Sequence, residues 1–308
     1  MIFNLSLIPI GNSYWVSATK IGTNYIKAFA NPTERYLRLI VSNVVKTHQL
    51  DKNWVYVTFP NGLTLKFKIF DFDNVDYTHL YDEKSILDIF NKVSNVLTRN
   101  PLERFKSGLV QKISELYTSI NLNSLHNVKF HNDIYLDLTK YDVDFSLIIN
   151  GIGTTPKLQN PQWQLEWNKF TQLLISDIFK RNDIDRILLE DLHTQPVYHL
   201  FYIILSSLSN WDTIKTIDIN ELDSSPKLFI NEIGDVEYSK RYELLHNKRE
   251  WDIEVESQEY INTLKRVSNK RLYFDSYAIT EYFETAMVYI LEEMYYDILN
   301  GKRYKKLL

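Results

Sequence analysis

Four groups of residues in this 308-residue chain have types and spacing that chemistry could use. Asp71, Asp73 and Asp76 come first. Asp71 and Asp73 would share one strand face, and carboxylates so placed suit Mg²⁺ or Ca²⁺. They also close a hairpin, where Asp and Asn are ordinary turn residues. The Gly and distal Glu of a calcium loop do not fit. The second group is His131, Asp133, Asp137, Asp142 and Asp144. Asp133 and Asp137 fall on the polar side of an alternating strand, which solubility alone demands. The third is Glu190, Asp191, His193 and His199. His199 sits in the apolar helical run Val197 to Leu205, where a histidine reads as a hydrogen-bonded core residue. His193 precedes the helix that Pro196 starts and falls in its loop. The fourth, Asp235, Glu237 and Lys240, has a nuclease-like carboxylate–lysine spacing on a hairpin arm, where alternating charge is the default. No metal and no cofactor is expected at any of them.

Other chemistries lack their residues. With no cysteine there is no thiolate nucleophile, disulfide or Cys-based zinc site. The sequence contains no Walker A pattern, no G-x-G-x-x-G and no G-x-S-x-G. Gly151 and Gly153 follow an expected strand but lead into Thr154-Thr155-Pro156, which reads as a linker. Eight glycines leave little room for loops built on close backbone approach. A non-enzymatic role is expected.

The net charge of −4 conceals an uneven layout. Residues 1–68 hold eight Lys/Arg (Lys20, Lys27, Arg35, Arg38, Lys46, Lys52, Lys66, Lys68) against Glu34 and Asp51. Tyr14, Trp15, Tyr25, Tyr36, Trp54 and Tyr56 are interleaved with them. Phosphate contact plus base stacking needs cations among aromatics. Trp15, Lys20, Lys27, Arg35, Arg38, Lys66 and Lys68 are therefore the expected nucleic-acid contacts. The basic tail Lys302, Arg303, Lys305 and Lys306 complements a helix C-terminus, and is the expected partner-binding segment. The body between is acidic.

The string Ser13-Tyr14-Trp15-Val16-Ser17-Ala18-Thr19-Lys20, followed by Arg35-Tyr36-Leu37-Arg38-Leu39, resembles the opening of the KilA-N DNA-binding module of phages and large DNA viruses. That module begins with a similar strand before a helix. The resemblance covers about thirty residues, and the downstream half of the module has no counterpart here. It implies DNA binding by the N-terminal region.

The elements that must position these residues follow from period and punctuation. Strands are expected at 2–10 and 13–19 around Gly11-Asn12, and a hairpin at 54–70 around Pro60-Asn61-Gly62. Asn31-Pro32-Thr33-Glu34 has a capped helix start, with Leu37, Ile40, Val41, Val44 and Val45 as its stripe. Helices are expected at 83–98 and from Asn100-Pro101, then a hairpin over 127–149 whose return strand points Val143, Phe145, Leu147 and Ile149 inward. Beyond lie helices at 161–181, 183–191, 195–209, 257–268 and 278–300, a small hairpin at 227–240 and a strand at 271–275.

The fold class predicted is α+β. An N-terminal domain of antiparallel hairpins with packed helices (1–152) is joined by a linker (153–160) to a mainly α-helical C-terminal domain with a small β-hairpin (161–308). No apolar run approaches the ~20 residues of a membrane span. The N-terminal stretch reads as a strand, without the basic flank of a signal peptide. An intracellular location, or a place in a virion, is expected.

Function is read at the level of class. Ile, Asn, Lys and Tyr are abundant while Gly, Ala, Arg and Pro are scarce, which is the codon bias of an AT-rich genome. Tyr and Trp suit protein interfaces. These features favour a structural or assembly protein of a phage or similar mobile element, acting as a homo-oligomer or through other protein partners. The alternatives are a nucleic-acid-binding protein using residues 1–68, and a metal-dependent nuclease or hydrolase with dispersed ligands.

Overall fold

The computed structural model describes residues 2–27, 29–30, 35–42, 54–71, 74–150, 161–181, 191, 193–222 and 295–301. They form a mixed α/β protein built on a seven-stranded mixed sheet. The strands are β1 (Ile2–Ile10), β2 (Ser13–Ser17), β3 (Leu37–Ser42), β4 (Val55–Thr58), β5 (Thr64–Phe70), β6 (Val93–Thr98) and β9 (Lys215–Asp218). Their order is β4-β5-β3-β1-β2-β6-β9. The first five pair antiparallel, and β6 and β9 add parallel at the far side.

Local chemistry explains the elements that were expected. Gly11 (φ 58°) and Gly62 (φ 87°) supply the left-handed backbone of two hairpin turns. Asn100 caps the helix Pro101–Ser119, its Oδ1 accepting from the N–H groups of Leu102 and Glu103. The helix Pro161–Lys180 lies where the tryptophan stripe places it, with Trp163 and Trp167 stacked 5.5 Å apart.

Three expectations are corrected. Residues 37–42 form strand β3 and no helix: Leu37, Leu39 and Val41 are buried and alternate with half-buried Arg38 and Ile40. The β-branched run suits a pleated surface better than a helical turn. The expected helix 83–98 divides into Glu83–Asn91 and strand β6. The return strand at 143–149 is the helix Phe145–Asn150, which follows the short hairpin β7 (Val128–His131) and β8 (Ile134–Leu136).

Among the described residues the helices before residue 223 are, in chain order, α1 (Thr23–Lys27), α2 (Glu83–Asn91), α3 (Pro101–Ser119), α4 (Phe145–Asn150), α5 (Pro161–Lys180), α6 (Tyr198–Leu205) and α7 (Ile219–Leu222). Two apolar cores result. One joins the sheet to α2, α6, α7 and Leu299. The other joins α3, β7, β8, α4 and α5. Residues 197–222 of the expected second unit thus pack in the core of the sheet, and β9 was not foreseen. The linker 153–160, the helix 183–190, and the elements at 227–240, 257–268 and 271–275 lie outside the described residues. Of the helix 278–300, residues 295–299 are described and helical. Among the described residues no helix is long and apolar enough to cross a membrane.

Candidate nucleic-acid interface

Register decides which side chains share a sheet face, because opposed residues point the same way. Tyr56 opposes Lys66, Ile40 opposes Lys68, and Arg38 opposes Phe70. These six form one half-exposed face across β4, β5 and β3, while Leu65, Phe67 and Ile69 are buried on the other. Trp54, just before β4, has the ammonium groups of Lys66 and Lys68 at 4.8 Å and 5.0 Å from its ring centroid.

Tyr36 and Arg35 extend the face. The Tyr36 hydroxyl is 2.8 Å from Ser6 Oγ, which shares the side of Arg38. Lys27 lies over the Tyr36 ring at 4.7 Å, and Arg35 over Tyr77 at 4.3 Å. Arg38 donates to Asn74 Oδ1 at 2.6 Å. Burial and then the charge of Arg38 hold the Lys27 ammonium below its usual range. Burial raises the Tyr36 hydroxyl, against its Ser6 contact and Arg38. Five of the seven expected contacts, Lys27, Arg35, Arg38, Lys66 and Lys68, are thereby gathered with Trp54, Tyr36, Tyr56 and Tyr77 on one side.

The other two are not there for a ligand. Trp15 opposes Ile8 in the sheet and is 1% exposed, so it is closed to solvent. Lys20 turns away: with φ 67° it lies within the loop between β2 and α1, and its Nζ donates to Gln111 Oε1 on α3 at 3.0 Å. The strand-then-helix string of the KilA-N resemblance is a strand, the short α1 and another strand, since 35–39 leads into β3. Lys302, Arg303, Lys305 and Lys306 lie outside the described residues, as do Glu190, Asp235, Glu237 and Lys240.

Asp73 lies outside the described residues, and Asp71, Asp76, Asp137, Asp142 and Asp144 serve local turns and an ion pair. Asp71 Oδ1 accepts from the Val75 N–H at 3.0 Å, and Asp76 Oδ1 accepts from the Thr78 N–H at 2.9 Å. Asp137 does the same for Thr139, and Asp144 for Leu147. Lys169 donates to Asp142 at 2.9 Å. No group of three potential metal ligands forms among the described residues.

His199 is in the core as expected, 8% exposed on α6, with Phe3 against its ring at 5.1 Å, but the hydrogen bond expected of it is not seen at Nδ1. Its Nδ1 has no hydrogen-bond partner among the described residues. Burial lowers its pKa to about 3. The unfolded chain would protonate it near pH 6.5, so its contribution to stability is complete above that pH and is lost as pH falls towards the folded value. His199→Leu removes this loss. The fall in unfolding free energy between pH 7 and pH 4.5 is expected to shrink by roughly 2 kcal/mol, measured by urea titration. Parallel curves for the two proteins would contradict it.

Tested against protein-family models, curated proteins and solved structures, the chain matches none.

What this face can do follows from its parts. Cations at rest on aromatic rings can exchange those rings for phosphate oxygens. Each cation–π contact at an exposed site is worth about 0.5–1 kcal/mol. Base–aromatic stacking is worth about 1–3 kcal/mol per base. An exchange of this kind would favour unpaired bases, which present a π-face.

Proposed function

We propose that the protein binds single-stranded nucleic acid on the β4-β5-β3 face, with Lys66, Lys68, Arg38, Arg35 and Lys27 on the phosphates and Trp54 and Tyr56 as stacking surfaces. The observation that carries this is the packing of Lys66 and Lys68 on Trp54. It places two cations and the largest aromatic side chain at one half-exposed spot. The charge layout of residues 1–68 supports the same reading from sequence. An assembly role rests on composition, whereas this role rests on composition and geometry together, and it is the one adopted.

Fluorescence anisotropy with a labelled single-stranded oligonucleotide of about twelve residues tests it. Trp54→Ala is expected to weaken binding about 10-fold, from the loss of one stacked base. An oligonucleotide that fails to bind the native protein at low salt would overturn the proposal.

A further inference from the structure

Away from the sheet face, α3 meets the β7–β8 hairpin and the segment around residues 191–195 at a cavity of about 410 Å³. That volume falls in the range of small-molecule sites. Asp191, 5% exposed, joins the three elements. Its Oδ2 accepts from Lys112 Nζ of α3 at 2.5 Å and lies 3.6 Å from His131 Nδ1 of the hairpin. Its Oδ1 accepts from the backbone N–H of His193 at 2.8 Å and from His193 Nδ1 at 2.9 Å.

These contacts decide what His193 presents. A carboxylate only accepts, so the His193 hydrogen sits on Nδ1 and its Nε2 keeps a lone pair. Among the described residues no other side chain hydrogen-bonds the imidazole, which lines the cavity with 27% of its side chain exposed. Lys112 already compensates the charge of Asp191, so the carboxylate orients the ring without holding a second proton on it. Burial first, then Lys20, Lys112 and Arg104 against Glu115, lower the His193 pKa to about 4. At neutral pH the ring is a proton acceptor, fixed in one tautomer beside an open cavity, as a general base must be.

The rest of the lining selects the substrate. Lys112 and Lys129 stand against Asp191 and Glu115, so the charges balance and suit a neutral molecule. Leu116 and Phe130 give that molecule an apolar wall. Lys112 is engaged by both carboxylates, with Glu115 at 3.0 Å. Lys129, exposed on β7, has no carboxylate paired with it among the described residues. Negative charge that develops in the cavity can therefore settle on Lys129. Ser119 is a poor nucleophile here: its hydroxyl donates to the Glu115 carbonyl at 3.3 Å, and no hydrogen bond joins it to His193 among the described residues. That leaves water as the nucleophile.

We infer that this cavity hydrolyses a small neutral carboxylic ester, with His193 as general base and Lys129 as counter-charge to the oxyanion. His193 Nε2 takes a proton from water as the water oxygen bonds to the ester carbonyl carbon. The carbonyl π pair moves onto its oxygen, facing Lys129. That pair then returns, the C–O bond to the alcohol breaks, and the alkoxide takes the proton back from Nε2. A carboxylic acid and an alcohol leave, and the imidazole is neutral again. Asp191 is a positioning residue that keeps Nε2 free of hydrogen. The site shares no residue with the sheet face and does not rest on nucleic-acid binding there.

The full chain is assayed with 4-nitrophenyl butyrate by release of 4-nitrophenol. Saturable hydrolysis is expected, with kcat/KM at pH 5.5 within about 2-fold of its value at pH 7.5, because His193 titrates at about 4. A histidine of ordinary pKa would lose about 10-fold over that interval. His193→Gln keeps an N–H for Asp191 and is expected to lower kcat at least about 100-fold, with its melting temperature unchanged. Lys129→Ala, on an exposed residue that leaves the fold intact, is expected to lower kcat about 10-fold. Asp191→Asn can turn its amide N–H towards Nδ1 and favour the other tautomer, so kcat should fall about 10-fold or more at unchanged KM. The anionic ester 4-nitrophenyl hemisuccinate should be cleaved about 5-fold less efficiently than the butyrate, since its charge loses water without a partner. Equal or better cleavage of the hemisuccinate would overturn the neutral substrate class. No saturable hydrolysis, a rate that His193→Gln or Lys129→Ala leaves unchanged, or a 10-fold fall between pH 7.5 and pH 5.5 would overturn the assignment.

Discussion

Reversing both strand lysines, Lys66→Glu with Lys68→Glu, lowers affinity for a single-stranded oligonucleotide by about 100-fold or more at roughly 0.1 M salt. Two attractions become two repulsions at adjacent same-face positions of β5, which points them at the same stretch of phosphates. The fold survives the change. Both side chains are half-exposed, and what they lose internally is their contact with Trp54, about 0.5–1 kcal/mol each. Thermal melting within a few degrees of the native protein, with anisotropy showing the lost affinity, is the expected pair of results. The melting result separates loss of contact from loss of structure. A double variant that binds as tightly as the native protein would remove these lysines from the interface.

Gly108→Ala is expected to destabilise the protein, although alanine is the better helix former by about 1 kcal/mol. Gly108 lies inside α3, against the segment that carries His193. A Cβ there would stand 2.2 Å from the His193 carbonyl oxygen and 2.9 Å from Thr194 Cγ2. Two backbones approach too closely for any side chain, so the segment must retreat. Such crowding costs roughly 1–3 kcal/mol, enough to cancel the helical gain and leave a net loss. A drop in melting temperature of a few degrees is expected for a chain of this size. A variant as stable as the native protein, or more stable, would show that the approach is looser than described.

Local signals were legible in the sequence, and long-range ones were not. The hairpin at Asn61-Gly62 and the cap at Asn100 are settled by neighbouring residues, so spacing alone places them. Strand β3 was misread because Leu37, Ile40 and Val41 satisfy a helical stripe while Leu37, Leu39 and Val41 satisfy a strand. Only pairing with β1 and β5 decides between them. β6 is flanked by parallel neighbours on both sides and has Val93, Val96 and Leu97 buried, so it lacks the polar alternation that marks a half-exposed strand. It therefore read as a continuation of α2.

The candidate interface was largely legible, since five of its cations came from charge counting. Trp15 and Lys20 failed for opposite reasons: one is core, and the other serves α3. The meeting of His131 and His193 at Asp191 could not be read from spacing, because the two histidines fall in separate groups of the sequence and only folding brings them to that carboxylate. Gly108 was the available signal. A lone glycine inside a helical pattern marks a close approach, and this one lies where α3 receives the His193 segment.

The central claim is tested most directly by the salt dependence of single-strand binding. If three to five of Lys27, Arg35, Arg38, Lys66 and Lys68 displace counterions, the logarithm of the binding constant should fall with the logarithm of salt concentration, at a slope of about −2 to −3.5. The slope should be shallower by about 1.4 when Lys66 and Lys68 are both replaced by glutamine. A slope near zero, or one that the double replacement leaves unchanged, would contradict binding at this face.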